Sequence, residues 1–168
     1  AVGNGRSTSV ALGDLDGDGD LDAMIATDRK QPNSVWTNDG TGTFTNSGKA
    51  AGSSASFSVA LGDFDGDGDL DAMVANYGQP NTAWTNDATA AFTHSTQALG
   101  TSCSATVPLG HPDRDGDVDA MAANYGLNTT YPLYDSDASA TPVHLHLPTT
   151  PTSTHHPAHH THNNLIST

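Results

Sequence analysis

Two stretches of this chain place aspartate at every second position. Asp14, Asp16, Asp18, Asp20 and Asp22 stand in DLDGDGDLD, and Asp63, Asp65, Asp67, Asp69 and Asp71 in DFDGDGDLD. Carboxylates this close repel one another by roughly 4 kcal/mol per pair at about 4 Å and an effective dielectric of about 20. Either several of them protonate or a cation neutralises them. Calcium fits best, because it accepts six to eight oxygen ligands in a flexible shell. The first, third and fifth residues (Asp14, Asp16 and Asp18, or Asp63, Asp65 and Asp67) would each give one carboxylate oxygen. The seventh, Asp20 or Asp69, would give its backbone carbonyl, and the ninth, Asp22 or Asp71, both carboxylate oxygens. Gly19 and Gly68 let the chain curl around the ion.

A third copy is altered. Asp113, Asp115 and Asp119 remain, with the Asp117 carbonyl, but His111, Pro112 and Arg114 replace Asp63, Phe64 and Gly66. Imidazole is a poor calcium ligand and a guanidinium beside the ion adds repulsion, so weaker binding is expected there. Three rival chemistries fit less well. An EF-hand needs its bidentate acid at the twelfth position, where Ile25 or Val74 stands. A phosphotransferase loop needs one nucleophilic copy and a distant lysine, whereas this motif recurs and the only lysines are Lys30 and Lys49. A glycosidase pair spans a cleft with one raised pKa, while these carboxylates converge on a point.

The loops belong to a longer repeat. SVALGDLDGDGDLD at 9–22 returns as SVALGDFDGDGDLD at 58–71 and as TVPLGHPDRDGDVD at 106–119. Each is followed by an apolar run beginning Ala-Met at Ala23, Ala72 and Ala120. Then come Pro32-Asn33 and Trp36, echoed by Pro80-Asn81 and Trp84, and finally Phe44 and Phe92. Phe57, Val59 and Leu61 alternate with Ser56, Ser58 and Ala60, the period of a half-buried strand. Residues 70–75 are apolar on both faces and read as a strand deep in the packing. The Trp84 and Phe92 segments supply a third strand and a fourth. Asn38-Asp39-Gly40-Thr41-Gly42 is a hairpin signal. Ala88 and Ala90 replace the two glycines in the second unit, and alanine reaches positive φ only at a cost.

Units of this length with four strands apiece predict an all-β chain of β-propeller blades, each packing on its neighbours. The chain supplies about three four-stranded antiparallel blades, too few to close a ring, and residues 1–10 align with 50–59 in blade register. A fragment of a longer protein is therefore expected. The units run over 1–56, 57–104 and 105–140. A Pro/Thr/His-rich stretch at 141–168 reads as a disordered C-terminal tail; its histidines could take zinc, nickel or copper, but no site is assigned to them.

All nineteen acidic residues are aspartate, which favours turns over helix interiors, and the formal charge is −14. That charge argues against nucleic acid or anionic membrane as a partner. No apolar run approaches a membrane span, and no charged-then-apolar leader opens the chain. The single Cys103 reads as a small buried filler. No Ser-His-Asp spacing, Cys-His pair or phosphate loop stands out, so no enzymatic activity is expected.

At these loops the chain resembles the FG-GAP/VCBS repeat family, found in integrin α-subunit propellers and in large secreted or surface bacterial proteins. The resemblance covers residues 1 to about 126 and rests on the D-x-D-G-D-G-x-x-D loop recurring in a long period. It implies a seven-bladed propeller with calcium between the first two strands of a blade. It also implies an extracellular or cell-surface location and a role in adhesion or in binding a protein or carbohydrate ligand. The alternative is a non-catalytic accessory propeller of a secreted hydrolase whose catalytic domain lies outside this stretch.

Overall fold

A computed structural model describes residues 5–96, 103–110, 118–124, 131–134 and 144–145. The expectations for loop residues 111–117 and for nearly all of the tail lie outside them. Every regular element among the described residues is a strand. The first unit comprises β1 (Ser7–Gly13), β2 (Asp22–Thr27), β3 (Ser34–Asn38) and β4 (Phe44–Ala50). The second comprises β5 (Ser56–Gly62), β6 (Asp71–Asn76), β7 (Thr82–Thr85) and β8 (Thr93–His94). Each forms one antiparallel sheet in sequence order. The third unit contains β9 (Ser104–Thr106), β10 (Leu109–Gly110), β11 (Asp119–Met121), β12 (Ala123–Asn124), β13 (Tyr131–Tyr134) and β14 (His144–Leu145). There β10-β11-β13-β14 form one sheet and β9-β12 a separate pair.

The break in the third unit has a local cause. Ala11 and Ala60 sit mid-strand, but their counterpart is Pro108, which has no N–H for the ladder. The first strand splits into β9 and β10 around it, and only the Pro108 carbonyl is used, accepting from Met121 N at 3.0 Å. β2 and β6 are buried along their whole length, as their two-sided apolar pattern predicts. The alternation expected from Phe57 to Leu61 holds at Val59 and fails at Phe57. A register shift between Ser56 and Ser58, matched between Ser7 and Ser9, marks an irregularity of the bulge type, and a bulge re-aims side chains. Phe57 is consequently exposed, against Tyr77 with ring centroids 5.3 Å apart. Cys103 is half-buried and free rather than fully buried.

Adjacent units are joined by two devices that recur. The first is a plug. Leu15, the apolar residue between Asp14 and Asp16, is wholly buried in a core it shares with Val59, Ala72, Val74 and Ala90 of the next unit, with Trp84 and Phe92 at its edge. Phe64 holds the same place in the second loop and enters a core with Val107, Ala120 and Ala122 of the third unit. The second is a polar ladder. Asn33 Nδ2 donates to Ser56 Oγ at 3.0 Å, and Asn81 Nδ2 donates to Ser104 Oγ at 2.8 Å. Asn33 Oδ1 also accepts from Thr27 N, and Asn81 Oδ1 from Asn76 N, each at 2.9 Å. Each buried asparagine thus binds its own unit with one end of the amide and the next unit with the other. The Pro-Asn echo in the sequence is the trace of this ladder.

Ala88 and Ala90 keep the hairpin backbone of the glycines they replace, with φ of 55° and 56° against 74° and 83° at Gly40 and Gly42. Left-handed backbone costs alanine about 1 kcal/mol or more. Ala90 recovers part of this, because its methyl is buried beside Leu15 and its N–H donates to the Leu15 carbonyl at 2.7 Å. Ala88 is only half-buried. Replacing Ala88 with Gly should therefore stabilise the chain by about 0.5–1 kcal/mol. Ala90→Gly should be near neutral, since it also removes a buried methyl worth about 0.8 kcal/mol. Thermal melts of the two variants check the difference; equal gains would contradict it.

Candidate metal centres in the Asp-rich loops

Each loop joins the first strand of a unit to the second and is drawn inward by its own carboxylates. Asp14 accepts from Gly17 N at 2.8 Å through Oδ1 and from Gly19 N at 2.9 Å through Oδ2. Asp63 repeats this with Gly66 N at 2.8 Å and Gly68 N at 3.0 Å. Those N–H groups reach inward because all four glycines take positive φ, from 77° to 96°. Further round, Asp18 Oδ1 accepts from Asp20 N and Asp67 Oδ1 from Asp69 N, both at 2.9 Å. The two loops, which differ only at Leu15 and Phe64, therefore fold with the same bonds.

Asp22 and Asp71 are fully buried at the base. Asp22 Oδ2 accepts from Leu15 N at 2.9 Å and Oδ1 from Asn38 N at 2.8 Å. Asp71 does the same with Phe64 N at 2.9 Å and Asn86 N at 2.8 Å. Each ninth-position carboxylate thus ties the plug residue's backbone to the third strand's end, a role that spacing alone did not suggest. A carboxylate oxygen has a second lone pair, so these bonds leave room for an ion.

One oxygen each from Asp14, Asp16 and Asp18 lies within 4.8 Å of the others, and the same is true of Asp63, Asp65 and Asp71. Asp20 instead lies against the hairpin, where a Cβ on Gly40 would come within 2.6 Å of its Oδ2. Asp113, Asp115 and Asp117 fall outside the described residues; Asp119 is buried on β11. The described ion pair, Arg6 with Asp28 at 3.7 Å, involves neither loop. Asp16 Oδ1 is shut off from solvent with no protein donor. An enclosed carboxylate oxygen beside other carboxylates, with no cationic side chain paired to it among the described residues, suits a hard cation with oxygen ligands.

The electrostatics show the same strain. Burial first, then the charges of Asp22 and Asp18, raises the Asp16 pKa. Asp65 is raised by burial and then by Asp67 and Asp63. Asp69 is raised by loss of hydration and then by Asp67, Asp63, Asp87 and Asp65. Burial pushes Asp71 up from 3.8 to about 6, against the two backbone donors that favour its charge. Asp39 at the hairpin goes the other way, because the Thr41 hydroxyl and N–H stabilise its anion.

A raised carboxylate pKa means that the folded chain holds its proton more tightly than the unfolded one, so stability falls as pH rises through that window. Without a metal, Asp71 alone should cost up to about 3 kcal/mol between an ordinary carboxylate pKa and about 6. The metal-free melting temperature should then rise on acidification through about 6. With calcium bound, protons compete with the ion and the order should reverse. Melts on either side of that pH, with and without chelator, check this; two series moving in the same direction would contradict it.

Four-stranded antiparallel units, stacked face to face and linked by plugged loops, are β-propeller-type repeats, and the described units do not close a ring. Residues 14–74, from the first loop to within β6, match the FG-GAP-like repeat family, so the chain carries an FG-GAP-like repeat. No curated protein matches the chain.

Proposed function

We propose that the two intact loops bind calcium and that the bound ions lock neighbouring units together. The units would form part of an extracellular or cell-surface propeller that serves adhesion or holds a protein or carbohydrate ligand. The observation that carries this reading is the buried, undonated Asp16 Oδ1 among converging carboxylates, with no cationic side chain paired to them among the described residues. Calcium is favoured over magnesium because these loops offer several carboxylate oxygens and calcium accepts six to eight oxygen ligands, whereas magnesium keeps its waters and demands near-octahedral geometry. The reading assigns the chain no catalytic step. Its work would be to hold a surface in shape where calcium is plentiful. Native mass spectrometry of chelator-stripped chain, reloaded separately with calcium and with magnesium, tests it. Two calcium adducts that magnesium does not displace are expected, and no adduct in either salt would overturn the proposal.

A further inference from the structure

Asn86, a buried residue just beyond β7, is bonded to both Asp-rich loops. Its backbone N–H donates to Asp71 Oδ1 at the base of the second loop, at 2.8 Å. Its side-chain Nδ2 donates at 2.9 Å to the carbonyl of Leu15, the plug residue of the first loop. The same Nδ2 reaches the Leu70 carbonyl, beside Asp71, at 3.3 Å. The Leu15 carbonyl accepts a second bond from the same hairpin, from Ala90 N at 2.7 Å. A Cβ on Gly17 would stand 3.5 Å from the Ala88 methyl. The hairpin thus lies along the first loop while its root is tied to the base of the second.

The hairpin of the first unit uses the same groups differently. There Gly42 N donates to Asn38 Oδ1 at 3.0 Å, a bond closed within the hairpin. Ala90 N and Asn86 Oδ1 are the counterparts, and they do not meet. Ala90 N turns to Leu15 instead, and Asn86 Oδ1 is left buried without a donor among the described residues. The amide is fixed in this sense, since a flipped Oδ1 would face two carbonyls. A buried acceptor without a donor is unfavourable. What the second hairpin has in exchange for its local bond is the pair of bonds to the first loop.

We propose that Asn86 is a positioning residue that couples the two loops, so that an ion in one raises the affinity of the other. The inference rests on the reading of both loops as calcium sites. An ion in the second loop fixes Asp71, and through it the Asn86 N–H and the hairpin. Both donors to the Leu15 carbonyl are then in place, as is the core that receives the Leu15 side chain. The first loop is held closed before its own ion arrives. By linkage the effect runs equally in the other direction. Direct repulsion between the ions opposes it. The charges acting on Asp16, however, are those of Asp22, Asp18 and Asp14 in its own loop, and those on Asp65 are Asp67 and Asp63. The loops therefore act on each other through bonds more than through charge.

Native mass spectrometry of the chelator-stripped chain, titrated with calcium, reads the coupling as the share of singly loaded chain. Two independent sites, alike or not, leave about half of the chains or more singly loaded at half-saturation. Coupling of about tenfold between two like sites brings that share to about a quarter. About a quarter is expected for the unaltered chain and about half for Asn86→Ala, which keeps the backbone donor to Asp71 and loses the bonds to Leu15 and Leu70. Cooperativity that came only from calcium-driven folding would persist or grow in that less stable variant, and either result overturns the proposal. Disabling the second loop with Asp65→Asn and Asp67→Asn together should raise the calcium needed to half-fill the first by about threefold. In the Asn86→Ala background the same pair should leave it unchanged; an equal rise in both backgrounds overturns the role of Asn86. A singly loaded share of about half or more in the unaltered chain overturns the coupling while the calcium reading stands. No adduct at all overturns both.

Discussion

Removing calcium should lower the melting temperature of this chain by on the order of 10–20 °C. An ion that binds only the folded form stabilises it by about 2.7 kcal/mol at a hundredfold excess over Kd, so two sites contribute about 5 kcal/mol. That is comparable with the whole stability of a small domain. The geometry explains why the effect should reach the entire chain. Leu15 and Phe64 emerge from the loops and are buried in cores shared with the following units. A loop sprung open by its own carboxylates would withdraw its plug and loosen the contact between units. Dichroism melts in calcium and in chelator measure this. Cooperative melting at one temperature in both would mean that the loops do not hold the units together.

Asp71→Ala should destabilise the chain by about 1–3 kcal/mol even in chelator, while Asp69→Ala should leave it unchanged or slightly more stable. The Asp71 carboxylate is buried and accepts from the backbone of Phe64 and Asn86. Its removal strands two buried donors, at about 1–3 kcal/mol each, with part returned because a desolvated charge also disappears. Asp69 is repelled by Asp67, Asp63 and Asp87, so losing its carboxylate relieves strain. In calcium the gap should widen, because Asp71 also offers an oxygen to the cluster with Asp63 and Asp65. Asp22 and Asp20 should behave as the equivalent pair. Urea unfolding of the four variants, in chelator and in calcium, gives the comparison; similar losses at Asp69 and Asp71 would contradict the assignment.

The acidic loops and the four-strand units were legible because they rest on spacing and period, which sequence displays directly. What was not legible depends on partners distant in the chain. The plug function of Leu15 and Phe64 could have been suspected, since a large apolar residue amid aspartates and glycines has no local reason to be there. The Asn33 and Asn81 ladder left only a repeated dipeptide, because an asparagine's partner a unit away gives no local signal. Phe57 misled for a different reason: alternation presumes a regular ladder, and the register shift between Ser56 and Ser58 turns that side chain outward. Ala88 and Ala90 show tertiary contacts overriding local preference, at least at Ala90, where the buried methyl and the bond to Leu15 offset the backbone cost. The ninth-position aspartates were singled out as metal ligands on count alone, and their backbone bonds appear only once the loop is closed.

Isothermal titration of calcium into the chelator-stripped chain tests the central claim most directly. Saturation at two tight sites per chain is expected, with any third site weaker and with magnesium leaving the isotherm nearly unchanged. The absence of binding heat at millimolar calcium, with no gain in β-structure, would show that the converging aspartates are only solvated turns.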